Sequence, residues 1–111
     1  MTSIKTFNEY ATEQAKTAIY PQEMVSYPFL GLAGETGEVC ELAKKCIRDE
    51  NGVWSEERKQ KLKKELGDVL WYLSEIARRT GLTLEEIATT NVEKLRSRQE
   101  RGVLGGSGND R

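Results

Sequence analysis

Apolar and small side chains recur along this chain at three- and four-residue intervals, and four stretches keep that helical period. In the first, Ile4, Phe7, Tyr10, Ala11, Ala15 and Ala18 share a face, which predicts an amphipathic helix over about 3–19 with Thr2 or Ser3 as its cap. Tyr20-Pro21 ends it, and the segment as far as Pro28 reads as a loop edged by Tyr20, Tyr27 and Phe29. A second helix is predicted from Pro28 or Phe29 to Arg48 on the period of Leu30, Leu32, Ala33, Val39, Leu42, Ala43 and Ile47, with Asp49-Glu50-Asn51-Gly52 as its stop. Ser55 is placed to cap a third helix over Glu56 to Thr80, whose buried stripe is Leu62, Leu66, Val69, Leu70, Leu73, Ile76 and Ala77. Gly81 closes that helix and Thr83 opens a fourth, with Glu85 and Glu86 in its first turn and Leu84, Ile87, Val92 and Leu95 on its apolar side. The remainder, from about 100 to 111, is glycine-rich and reads as a flexible tail. The competing reading is a strand of backbone N–H groups, with Arg101 and Arg111, that wraps an anionic substrate.

Composition changes the picture in one respect. The chain has 111 residues, 37% of them hydrophobic and 32% charged, which is a single domain with little apolar material for a core of its own. Burial between copies would supply the rest, so at least a dimer is expected. The net charge of −1 gives no general attraction for nucleic acid or anionic membranes, and no apolar run is long enough to span a bilayer. Lys5, Glu9 and Glu13 interrupt the region where a signal peptide needs an apolar stretch, so a cytoplasmic protein is expected. Cys40 and Cys46 lie six apart on one helix, off a common face, and read as reduced, half-buried thiols. The chain has no histidine, which removes His-based zinc sites and His-dependent nucleophilic catalysis.

Metal chemistry, then, must run on carboxylates. Glu35 and Glu38 are three apart in the second helix, and Glu65 and Asp68 are three apart in the third, so each pair leaves one side of its helix and the four can converge between the two. Oxygen-only ligands favour a hard cation, Mg²⁺ first and Mn²⁺ second. Gly31, Gly34 and Gly37 each cost the second helix about 1 kcal/mol relative to alanine, and close approach of another helix or room for a ligand would offset that. Lys45, seven residues past Glu38, either reaches a metal-held phosphate or stands as a solvated lysine at a helix C-terminus. Lys61 is placed to pair with Glu65. Trp71 and Tyr72 fit a core or subunit interface, with one of them touching the base of a substrate; the loop aromatics Tyr20 and Tyr27 offer a further stacking surface. Asn91, Lys94 and Arg98 form a polar, basic stripe at i, i+3 and i+7, suited to phosphate or to solvent.

The run Leu32-Ala33-Gly34-Glu35-Thr36-Gly37-Glu38-Val39, followed after a basic linker by Glu65-Leu66-Gly67-Asp68-Val69-Leu70-Trp71-Tyr72, resembles the MazG-like nucleoside triphosphate pyrophosphohydrolases. The resemblance extends from about Phe7 to the tail and takes in Asn91, Lys94 and Arg98. It implies an all-α, four-helix MazG-like bundle, dimeric or tetrameric, that cleaves a nucleoside triphosphate to monophosphate and pyrophosphate with Mg²⁺. It further implies Glu35, Glu38, Glu65 and Asp68 as the metal ligands. Many members double the first acid; here Gly34 precedes Glu35, which leaves four ligands and changes how the site is tuned. Within this reading Glu35 or Glu38 takes the proton of the attacking water, Lys45, Lys94 and Arg98 meet the leaving pyrophosphate, and Tyr72 contacts substrate. The rival expectation is a non-catalytic helical oligomer that serves as a regulator or interaction module.

Overall fold

In the computed structural model, which describes residues 3–102 and 105, four helices run in the order α1 (Phe7–Ala15), α2 (Tyr27–Glu50), α3 (Glu56–Thr80) and α4 (Leu84–Glu100). No strand occurs among the described residues. The expected tail falls largely outside them, at 103, 104 and 106–111.

Local chemistry sets three of the four starts. The Thr6 hydroxyl accepts from the Glu9 amide at 3.0 Å, Ser55 from that of Arg58 at 3.2 Å, and Thr83 from that of Glu86 at 3.1 Å. Glu86 reaches back to the Thr83 amide at 2.7 Å and completes a capping box. This corrects the expectation for α1, which is shorter than 3–19. Thr6-x-x-Glu9 is itself a capping signature, and one turn upstream Ser3 stays outside the helix. At its other end the helix stops at Ala15, with Lys16 as its C-cap. α2 ends two residues later than expected, at Glu50, with Asn51 and Gly52 left-handed at φ 54° and 77°. Gly81, at φ 76°, terminates α3 where its sequence position indicates.

α2 and α3 are joined by the short 51–55 connection and make the main helix pair, while α1 and α4 pack on α3 and on each other. The buried interior is small and rich in polar groups: Tyr20, Pro28, Cys46, Ala77 and Leu84 share it with Gln14, Ser74, Glu75 and Arg98. Leu66 and Leu73, expected in the α3 core stripe, are instead 49% and 42% exposed. On α2, Phe29, Leu30 and Ile47 are also open. Periodicity identifies an apolar face but not what covers it. The two cysteines divide: Cys46 is buried and donates to the Val53 carbonyl at 3.3 Å, whereas Cys40 is exposed.

Of the three glycines in α2, Gly31 is explained by a contact among the described residues. A Cβ on Gly31 would run into the Tyr72 ring, so glycine is what lets α3 place that ring against α2. Nothing lies within 4 Å of a Cβ at Gly34 or Gly37.

Candidate metal and substrate site

The long α2–α3 pair brings two helical i, i+3 acid pairs face to face. Ligand atoms of Glu35, Glu65 and Asp68 all lie within 4.8 Å of one another, with Glu35 and Glu65 half-buried and Asp68 exposed. Among the described residues no ion pair involves any of the three. Burial, then the charges of Asp68, Glu65 and Glu38, raise the Glu35 carboxyl above its ordinary value. The fourth expected acid, Glu38, lies outside the close trio but near enough for its charge to act on Glu35.

Two concavities flank the acids. On one side a cavity of about 390 Å³ is lined by Glu35 and Asp68 together with Thr17, Tyr20, Tyr27, Trp71 and Tyr72. Its aromatic wall is ordered by contact. Tyr20 and Tyr27 stack at 4.4 Å and 8°, Tyr27 meets Tyr72 at 6.4 Å, and Trp71 meets Tyr72 edge-on at 5.0 Å. The Trp71 indole N–H donates to the Thr17 hydroxyl at 2.7 Å, and that hydroxyl donates in turn to the Gln14 carbonyl, also at 2.7 Å. Thr17 therefore has no donor left for a ligand. Burial first, then hydrogen bonding with Tyr27 and the charges of Tyr27, Glu35 and Asp68, hold the Tyr72 phenol above its usual range.

On the other side a groove of about 200 Å³ is lined by Glu38, Glu41 and Glu65 with Lys45, Lys61 and Lys64. Lys61 bonds Glu57 at 3.7 Å rather than Glu65, since Glu65 turns toward Glu35 and Asp68. Of the expected site residues, then, Glu35, Glu65, Asp68 and Tyr72 meet around one cavity or its acidic edge, and Glu38 and Lys45 line the adjoining groove. Asn91, Lys94 and Arg98 lie on α4, which packs on α1 and α3, and none of them lines either concavity. Arg98 is buried, Lys94 half-buried and Asn91 exposed.

The MazG nucleotide pyrophosphohydrolase domain model matches residues 27–103, the span that carries both acid pairs. The chain belongs to the MazG family. It is 40% identical over 109 residues to the Gene 37 protein of Mycobacterium phage L5, an alignment that covers 92% of this chain and 96% of that one. No solved structure matches it. No helix among the described residues of this MazG domain is long and apolar enough to cross a membrane.

A hard cation fits the acid trio. All the donors are carboxylate oxygens, they already lie within a single ion's reach, and no ion pair among the described residues relieves their repulsion. Sequence reasoning missed a second acid of a different kind in this MazG domain. Glu75, wholly buried, accepts from Tyr20 at 2.6 Å, from Gln14 at 3.0 Å, and from both Nε and Nη2 of Arg78. No local signal marks it, because Gln14 and Tyr20 reach it from 61 and 55 residues away in the chain.

Proposed function

We propose that this chain hydrolyses a nucleoside triphosphate to the monophosphate and pyrophosphate, using a divalent cation, Mg²⁺ by preference, held by Glu35, Glu65 and Asp68 with Glu38 beside them. The observation that carries this reading is the acid trio set between an aromatic cavity and a lysine-lined groove. A nucleotide needs that order of surfaces: a flat apolar wall for its base, charge control at the reacting phosphorus, and cations for its far phosphates. Tyr27, Tyr72 and Trp71 receive the base, and Lys45, Lys61 and Lys64 receive the β- and γ-phosphates. Bound Mg²⁺ supplies charge neutralisation at phosphoryl oxygens and a water of lowered pKa. Glu38 lies outside the close trio, and its carboxylate oxygen is the one left to accept the proton of the attacking water. Asn91, Lys94 and Arg98 are assigned no contact in this reading; Lys94→Ala tests whether α4 belongs to the site.

The working unit is at least a dimer, because one copy leaves large apolar side chains of α2 open at both its ends, Phe29 and Leu30 near the start and Ile47 near the finish, and a second copy would cover them. A light-scattering mass near 12.6 kDa at micromolar concentration would reject this assembly.

The decisive experiment incubates the protein with canonical and modified nucleoside triphosphates and Mg²⁺ and resolves all phosphate-containing products. Monophosphate and intact pyrophosphate are expected. Diphosphate with free phosphate as the first products, or full turnover in excess chelator, overturns the proposal. No turnover of any substrate favours a regulatory oligomer.

A further inference from the structure

Tyr20 belongs to neither helix that carries the acids. It lies in the 16–26 segment between α1 and α2, where a side chain has no helical neighbours to fix its rotamer, yet it is buried and supplies part of the cavity wall. Its position is set from behind. The phenol donates to one Glu75 oxygen at 2.6 Å and accepts from Arg79 at 3.0 Å, and the Arg79 guanidinium also lies 5.7 Å from the ring centre. Glu75 is in turn held by Gln14 of α1 and by Arg78, while Gln14 accepts from Ser74 at 2.8 Å. One buried carboxylate thereby ties α1, α3 and the 16–26 segment together. Tyr27, the ring against which Tyr20 stacks, is 40% exposed and gains its flat backing from that arrangement.

We propose that Glu75 is a positioning residue for nucleobase recognition, fixing the Tyr20–Tyr27 stack through its hydrogen bond to the Tyr20 hydroxyl so that the cavity presents a preformed stacking wall. Preorganisation of this sort strengthens binding by removing the ordering cost of a loop aromatic, and it acts on the base alone. The inference rests on the cavity being the base pocket of the proposed nucleotide site.

The test is calorimetric titration with α,β-methylene analogues of the four deoxynucleoside triphosphates and with inorganic tripolyphosphate, all in Mg²⁺, on the parent, Glu75→Gln and Tyr20→Phe. Tyr20→Phe keeps the ring and loses only the hydroxyl, so it decides the matter if Glu75→Gln does not fold. Both variants are expected to weaken the tightest nucleotide analogue about tenfold while tripolyphosphate affinity stays within about twofold. Parallel loss for both ligands, or unchanged affinity for both, overturns the positioning role and leaves a purely structural one. A parent that binds the analogues but hydrolyses no triphosphate sinks the proposed activity and not this inference. A parent that binds no analogue sinks the inference.

Discussion

Asp68 and Glu75 stand seven residues apart on α3, about two turns, so both carboxylates leave nearly the same side of the helix. Around Glu75 the fold has gathered donors: a phenol, an amide and a guanidinium all point at its two oxygens. Around Asp68 it has gathered other acids. Burial pushes the Glu75 carboxyl up, yet hydrogen bonds from Arg78, Tyr20 and Gln14 outweigh it and bring the group down to about 2. Glu35, less buried than Glu75 but facing Asp68, Glu65 and Glu38, moves the other way. The depth of burial therefore does not decide the sign; the partners supplied at that depth do. One region has its charge balanced inside the chain and serves as scaffold. The other sets acids against one another with no ion pair among the described residues to balance them.

The largest effect that would break this contrast is on turnover. Glu65→Gln and Asp68→Asn each remove a ligand charge from the trio at nearly constant shape, and each is expected to lower kcat at least about a hundredfold, the scale of losing a preorganised charge at the reacting phosphorus. Melting temperature in Mg²⁺-free buffer should not fall. A variant that retains more than a tenth of parental turnover would remove that acid from the site.

Glu75→Ala is expected to do the reverse on stability. It strands the Tyr20 hydroxyl and the Gln14 amide in a buried place and should cost on the order of 3 kcal/mol, a drop in Tm of roughly 10–20 °C. The acid limb of the stability curve sharpens the assignment. A carboxylate whose folded pKa is depressed contributes stability above its unfolded pKa and loses it as pH falls through the folded one. For Glu75 the window runs from 4.5 down to about 2 and involves about 3 kcal/mol. Urea melts of parent and Glu75→Ala across that window should converge as pH falls. A constant gap between them would mean that Glu75 is not ionised in the fold.

That contrast was only half legible in the sequence. Glu35, Glu65 and Asp68 announce themselves because i, i+3 spacing is local, and Ser55, Gly81 and Thr83 mark helix ends for the same reason. Glu75 could not be read that way, since its partners Tyr20 and Gln14 lie 55 and 61 residues away in the chain. A lone acid beside Leu73, Ile76 and Ala77 looks like an ordinary surface residue until the loop folds back onto it. The start of α1 is ambiguous in the sequence for a different reason: two capping residues, Ser3 and Thr6, compete within one turn, and the Glu9 three residues past Thr6 decides between them. Leu66 and Leu73 follow a helical period that says nothing about whether this chain or another covers them.

The smallest effect separates the two kinds of carboxylate most directly. After burial, the charge of Asp68 is the largest cause of the raised Glu35 carboxyl. A group whose folded pKa is raised contributes stability that is fully present below its unfolded pKa, here 4.5, and is lost as pH rises through the folded value. At neutral pH the metal-free trio is therefore a net cost to the fold. Asp68→Asn takes away the strongest of the repulsive charges, so the metal-free variant should melt above the metal-free parent. The gain is held under about 1 kcal/mol, or a few degrees, because Asp68 is exposed and solvent screens part of the repulsion. Saturating Mg²⁺ should reverse the order, since the parent binds the cation with one more ligand charge and gains stability in proportion to its affinity. The same substitution thus raises stability without metal, lowers it relative to the parent with metal, and lowers kcat, a pattern that a solvated surface aspartate does not produce. Thermal melts of parent and Asp68→Asn, each in chelator and in Mg²⁺, provide the check. Equal melting temperatures in chelator, together with an equal Mg²⁺-induced rise, would show that the three acids merely share a surface.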